Sequence, residues 1–211
     1  MTEFRDQNGE QVDWSEIYAV IFDVDGTLYR QFPVRVHMGF RLASHFLLHP
    51  REIRDLMGIY QFRKLREEEI FQASSLEAQI HEAANRTGLP EENRLHEVIQ
   101  TWMFREPLSL IRRYANRKVL DLMDRLQDEG KQVVIWSDYA PEEKLAALDV
   151  KPYQIYYPGY NGISEMKPSE KSVRKILKDL GVDPKHTAFL GDRMEKDGKS
   201  ALAAGIHFIL I

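Results

Sequence analysis

Short apolar runs alternate with amphipathic stretches along the second half of the chain. "VLDLMDRLQDEG" has apolar residues at helical spacing and a glycine stop at Gly130, so it reads as a helix. "QVVIWS" reads as a buried strand. "PEEKLAALDV" opens on a proline and two acids, as the first turn of a helix prefers. "YQIYY" is a β-branched and aromatic strand, "SEKSVRKILKDLG" a second capped helix, "HTAFLGD" a strand, "KSALAAG" a helix and "HFILI" a last strand. An earlier apolar run, residues 18–23, supplies one more strand. From about Val34 to Ala115 the pattern differs. Helix formers rich in Arg, Glu, Leu and His follow amphipathic spacing, with breakers at Pro50, Gly88-Leu89-Pro90 and Pro107, which predicts four or five helices and no strand. The charged run "RKLREEEI" within it reads as a solvated helix face.

Strands separated by helices make a parallel sheet covered on both faces. The expected fold class is therefore α/β: a Rossmann-like parallel sheet core with helices on both faces, plus an inserted α-helical module. Residues 1–33 and 116–211 form the core in this reading, and residues 34–115 the module.

Composition narrows the function. With 211 residues, 43% apolar and 29% charged, the chain can bury a sizeable core, and disorder throughout is excluded. A net charge of -4 gives no polyanion-binding signal, so nucleic acid is not an expected partner. The absence of cysteine excludes disulfides, thiol nucleophiles and thiolate metal sites. No segment approaches the roughly 18 apolar residues of a membrane span. The polar N-terminus "MTEFRDQNGEQVDW" lacks the apolar stretch of a signal peptide, and the expected location is cytoplasmic. His45 and His49 lie one helical turn apart, but without the glutamate of a zinc-protease helix they read as surface or cap packing.

In a parallel α/β sheet ligands bind beyond the carboxyl ends of the strands. The first strand ends in Asp23 and Asp25, "QVVIWSD" in Ser137 and Asp138, and "HTAFLGDRMEKDG" in Asp192 with Asp197 five residues on; Lys167 precedes a helix at the same end. Crowded carboxylates repel one another unless a cation neutralises them. Mg2+ suits such a site, since it takes one or two carboxylates, keeps several waters and accepts phosphate oxygens. Ser137 can donate to phosphate, Lys167 adds a compact positive charge, and a carboxylate can act as a nucleophile. The groups point to phosphoryl transfer.

Taken in order, "DVDGT", "IWSD", "EMKP" and "GDRMEKD" resemble the haloacid dehalogenase superfamily, specifically its phosphatases with an α-helical cap inserted after the first strand. The resemblance covers roughly half the chain, and residues 34–115 share only position and helical character with the family's caps. It implies that Asp23 is the nucleophile and Asp25 the general acid and later the base. Mg2+ would be held by Asp23, the Asp25 carbonyl, Asp192 and, directly or through water, Asp197. Ser137 and Lys167 would bind the phosphate of a small phosphorylated substrate. The family's dehalogenases lack the second acid of the first motif, so Asp25 argues for phosphate chemistry.

Two departures stand out. Asp138 occupies a position where the family often has Asn, and its side chain is expected to point away from the phosphate or to meet a cap residue. The chain stops at Ile211, directly after the last strand, which predicts a short sheet edge. Alternatives to a phosphatase are a phosphomutase of the same superfamily, a phosphorylation-controlled binding protein similar to response-regulator receivers, and a non-catalytic, phosphate-binding or regulatory member of the family serving as a scaffold.

Overall fold

The computed structural model describes residues 4–66, 68, 76–88 and 92–211. The end of the charged run at residues 67, 69 and 70, and the Leu89-Pro90 break, lie outside the described residues. The chain divides into two compact units, Met1–Gln31 with Tyr114–Ile211, and Phe32–Arg113.

The first unit holds all five predicted strands: β1 (Ala19–Phe22), β2 (Gln132–Trp136), β3 (Gln154–Tyr156), β4 (Thr187–Gly191) and β5 (His207–Leu210). They form one parallel sheet in the order β3-β2-β1-β4-β5. Around it lie α6 (Arg117–Asp128), α7 (Glu142–Leu148), α8 (Glu170–Leu180) and α9 (Lys199–Ala203). Side chains alternate along a strand. Ala19, Ile21, Val134, Trp136 and Phe189 face α8 and α9 in one core cluster with Val173, Ile176 and Phe208. Val20, Phe22, Val133, Ile135 and Leu190 turn to the opposite face and are equally buried, so both faces are covered. The helix signals act where the sequence puts them: Ser169 accepts from the Ser172 amide at the start of α8, and Gly181, at φ 66°, ends it. The outer edge of β5 is met by the N-terminal segment, where the Gln7 side-chain carbonyl accepts from the Phe208 amide at 2.8 Å. A free strand edge is a template for aggregation, and this contact covers part of it.

The second unit contains α1 (Gln31–Leu48), α2 (Ile53–Leu65), α3 (Leu76–Thr87), α4 (Glu92–Ile99) and α5 (Glu106–Arg113), with no strand among its described residues. Phe62, Leu65, Ile80, Ala83, Leu95 and Ile99 form its core. Pro107 is not the break that the sequence suggests. Residues Gln100–Arg105 form a π-helical stretch that carries α4 directly into α5, and Pro107 sits in the first turn of α5. The wider π turn leaves the proline, which has no N–H to give, without an i→i−4 bond to break. His45 and His49 stack with ring centroids 4.5 Å apart, and His45 Nε2 meets Glu52 at 2.9 Å. Among the described residues, no helix is long and apolar enough to cross a membrane.

Candidate active site

Register decides which side chains share the carboxyl edge of the sheet. Phe22 of β1 is level with Ile135 of β2 and Leu190 of β4. The residues just beyond therefore come together: Asp23 after β1, Ser137 after β2 and Asp192 after β4. The Asp23 amide extends the ladder by donating to the Leu190 carbonyl at 2.9 Å. Val24 and Thr27 are fully buried and anchor the loop. The Thr27 hydroxyl donates to Asp23 Oδ2 at 3.2 Å, while the Asn116 side-chain amide donates to the Thr27 carbonyl at 3.1 Å.

Asp23, Asp192 and Asp197 each offer a carboxylate oxygen, and these oxygens lie within 4.8 Å of one another. Asp197 belongs to a π-helical turn, Met194–Gly198, that follows the β4 loop, and its carboxylate also accepts from the Arg193 amide at 3.1 Å. Lys167, 4% exposed, places its ammonium 2.5 Å from Asp23 and 2.9 Å from Asp197. The same ammonium lies over the rings of Trp136 and Phe189, at 5.2 and 5.0 Å from their centroids, so it is held between acids and π faces.

This crowding sets the proton affinities. Burial pushes the Asp23 carboxyl up to about 7; Lys167 opposes the rise and Asp197 adds to it. Burial and the neighbouring Asp197 also raise Asp192. Burial alone would favour neutral Lys167, but the carboxylates of Asp23, Asp197 and Asp138 outweigh it and hold its affinity for the proton above the ordinary value. One ammonium against three acids leaves the site short of positive charge. The donor set therefore fits a hard divalent cation, which takes carboxylate oxygens.

Asp25 and Ser137 stand outside that cluster of acids. The Asp25 carboxylate accepts from Lys144 Nζ of α7 at 2.5 and 2.7 Å and from the Tyr29 hydroxyl. Ser137, 2% exposed, accepts from the Tyr139 amide at 3.3 Å. Asp138 finds its partners within the first unit. It accepts from the Lys167 amide at 2.7 Å and faces Lys196 at 3.4 Å and Arg193 at 3.9 Å. It therefore helps to fix Lys167, and nearby cations offset its charge. Sequence reasoning missed Lys144 and Tyr29 as partners of Asp25. In the case of Lys144, the one available signal was a lysine in the first turn of a helix, where the macrodipole disfavours a cation.

Gly26 makes the close packing of the loops possible. At φ +101° it adopts a backbone conformation that side chains disfavour, and a Cβ there would lie 1.9 Å from Asp192 Oδ2. Gly26→Ala is expected to cost about 1–3 kcal/mol of stability through backbone strain. It should also turn Asp192 away and weaken divalent-cation binding, as checked by denaturant unfolding and calorimetric titration with Mg2+. Unchanged affinity would show that Asp192 is not a ligand.

The family model described as "Hydrolase: haloacid dehalogenase-like hydrolase" matches residues 17–205. The chain belongs to the haloacid dehalogenase-like hydrolases. A curated relative, dihydroxyacetone phosphatase of Corynebacterium glutamicum (strain R), is 35% identical over 66 residues. That match spans 31% of this chain and 20% of the relative, about a fifth of its length. Among solved structures, the 2-haloacid dehalogenase of Pseudomonas syringae pv. Tomato DC3000 superposes with a TM-score of 0.64 at 17% identity, over 91% of this chain and 85% of that one. The β-phosphoglucomutase of Clostridium difficile gives 0.54 at 18% identity, over 91% and 83%. At these identities the structural likeness is one of fold. Within this hydrolase family, the chemistry of this member rests on its own side chains.

Proposed function

We propose that this haloacid dehalogenase-like hydrolase is a Mg2+-dependent phosphatase that removes phosphate from a small phosphorylated metabolite through an aspartyl-phosphate intermediate. The observation that carries this reading is the cluster of Asp23, Asp192 and Asp197, with the Lys167 ammonium against Asp23 and Asp197 and a second carboxylate, Asp25, two residues from the first. Asp23 is the nucleophile. Its bond to phosphorus forms as the bond to the leaving oxygen breaks, and Asp25 gives that oxygen a proton. Asp25 then takes a proton from water as the water oxygen attacks phosphorus, which releases phosphate and restores Asp23. Lys167 offsets the charge of Asp23, and Ser137 with neighbouring amides binds phosphate oxygens. Asp23, Asp192, Asp197 and the Asp25 carbonyl would hold Mg2+, which when bound supplies positive charge to the phosphoryl oxygens. Residues 1–33 and 116–211 form the catalytic core, and residues 34–115 take the role of a substrate-selecting cap. The expected setting is the cytoplasm.

The phosphatase of Corynebacterium glutamicum supports phosphate ester hydrolysis, and Asp25 distinguishes this site from the dehalogenase pattern. A phosphomutase would use the same two aspartates but return the phosphoryl group to a sugar. Hydrolysis of p-nitrophenyl phosphate by the chelated protein, with and without added Mg2+, tests the reading. Metal-dependent release of inorganic phosphate is expected. Turnover of a bisphosphorylated sugar without phosphate release would favour the mutase.

Stability should report the metal independently of activity. Asp23 has a raised pKa in the folded, metal-free protein, so folding is favoured by a proton that the unfolded chain gives up more readily. That contribution is complete below the ordinary carboxylate value and is lost as pH rises through about 7. A cation that compensates the ionised acids removes the penalty. Mg2+ should therefore raise Tm more at about pH 8 than at about pH 5.5, because protons compete with it for the carboxylates. Equal shifts at both pH values would contradict the assignment of Asp23 as a ligand.

A further inference from the structure

Lys144 is placed where helix energetics do not want it. It is the third residue of α7, in the turn where the helix dipole favours the acids Glu142 and Glu143 and disfavours a cation. It spans 119 positions of sequence to bind both oxygens of Asp25, at 2.5 and 2.7 Å. The pair is about a quarter exposed on each side, and ion pairs of that kind add little to stability. Tyr29, 4% exposed, donates its hydroxyl to the same Asp25 oxygen that lies nearer Lys144. Two donors from separate segments thus fix one carboxylate beside the nucleophile, against the preference of the helix that carries one of them. Such an arrangement is accounted for by what it holds.

We propose that Lys144, supported by Tyr29, is a positioning residue that fixes the Asp25 carboxylate for proton transfer, above all in the hydrolytic half of the reaction. This rests on the phosphatase reading. In the first half, phosphorus passes from the leaving oxygen to Asp23, and a weakly basic aryl oxide departs with little help from an acid. In the second half, a water O–H bond breaks as its oxygen bonds to phosphorus, the proton goes to Asp25, and the bond from phosphorus to Asp23 breaks. Nothing in the substrate can replace Asp25 there, so misplacing it slows this step whatever the leaving group.

The test follows pre-steady-state release of p-nitrophenol from p-nitrophenyl phosphate by the wild type, Lys144→Met and Lys144→Arg in Mg2+, with acid-quench measurement of phosphorylated protein. For Lys144→Met, first-turnover release should stay within about threefold of the wild type while steady-state turnover falls about 10–100-fold, part of the range for general acid–base catalysis. A burst stoichiometric with enzyme and accumulated phosphoenzyme should accompany the fall. Lys144→Arg, which keeps a cationic donor, should recover most of the steady-state rate. Equal losses in both phases, or no loss in either, would overturn the proposal, the first by showing a structural role. A wild type without Mg2+-dependent turnover would instead overturn the phosphatase reading and this inference with it.

Discussion

Asp23→Asn is expected to remove turnover by a factor on the order of 10^4 or more, the scale seen when a covalent nucleophile is lost. The amide has the shape of the carboxylate but cannot carry the phosphoryl group. The fold should survive, because the substitution changes no volume in the buried loop and the Thr27 hydroxyl keeps an acceptor within reach. Lys167 also retains Asp197 at 2.9 Å, so the buried ammonium is not orphaned. Removing one crowded acid should leave the metal-free protein at least as stable as the wild type at about pH 8, where Asp23 would otherwise be ionised. Turnover and thermal unfolding of the two proteins, measured side by side, check both halves. Activity within about a hundredfold of the wild type would be too high for a lost nucleophile.

Lys167→Met should have the opposite balance, with stability and activity falling together. Asp23 and Asp197 are 8% and 2% exposed and both lie against this ammonium, so its loss leaves two acids buried without their cation. Removing one partner of a buried pair costs about 3–5 kcal/mol, and the methionine regains only part of that by packing on Trp136 and Phe189. Part of the loss should return at low pH, where the acids take up protons, and part with Mg2+. Turnover should fall by about 10^2–10^3 even in Mg2+, because a fixed charge beside the transferring phosphoryl group is missing. Urea unfolding at two pH values, with and without Mg2+, measures the first effect. A variant as stable as the wild type at about pH 8 would show that the acids do not depend on Lys167.

The strands were legible because each is a short apolar or aromatic run bounded by clear turn residues, so pattern alone located all five. Asp23 and Asp192 were legible for a related reason. In a parallel sheet every strand delivers its next residue to the same edge, and the β1–β4 pairing brings these two together. Asp197 lies in the turn that follows β4 and Lys167 just ahead of α8, and their type betrayed them. The partners of Asp25 were hidden because Lys144 is 119 positions away, in a helix turn whose acids make it read as a solvated surface. The helical unit was legible as helices, but Pro107 misled. A proline normally argues for a break, and only the π-helical stretch before it accounts for the continuous run from α4 to α5. The role of Gly26 was equally invisible, since the aspartate it makes room for comes from another strand.

The proposed reaction places the phosphoryl group on Asp23. Its most direct test is to quench the protein with acid during turnover of p-nitrophenyl phosphate in Mg2+ and locate the modification by mass spectrometry of the peptide containing residues 19–30. One phosphoryl group on Asp23, removable by hydroxylamine and absent from Asp23→Asn, is the predicted result. Continued phosphate release with Asp23 unmodified, or with the phosphoryl group on another residue, would contradict it.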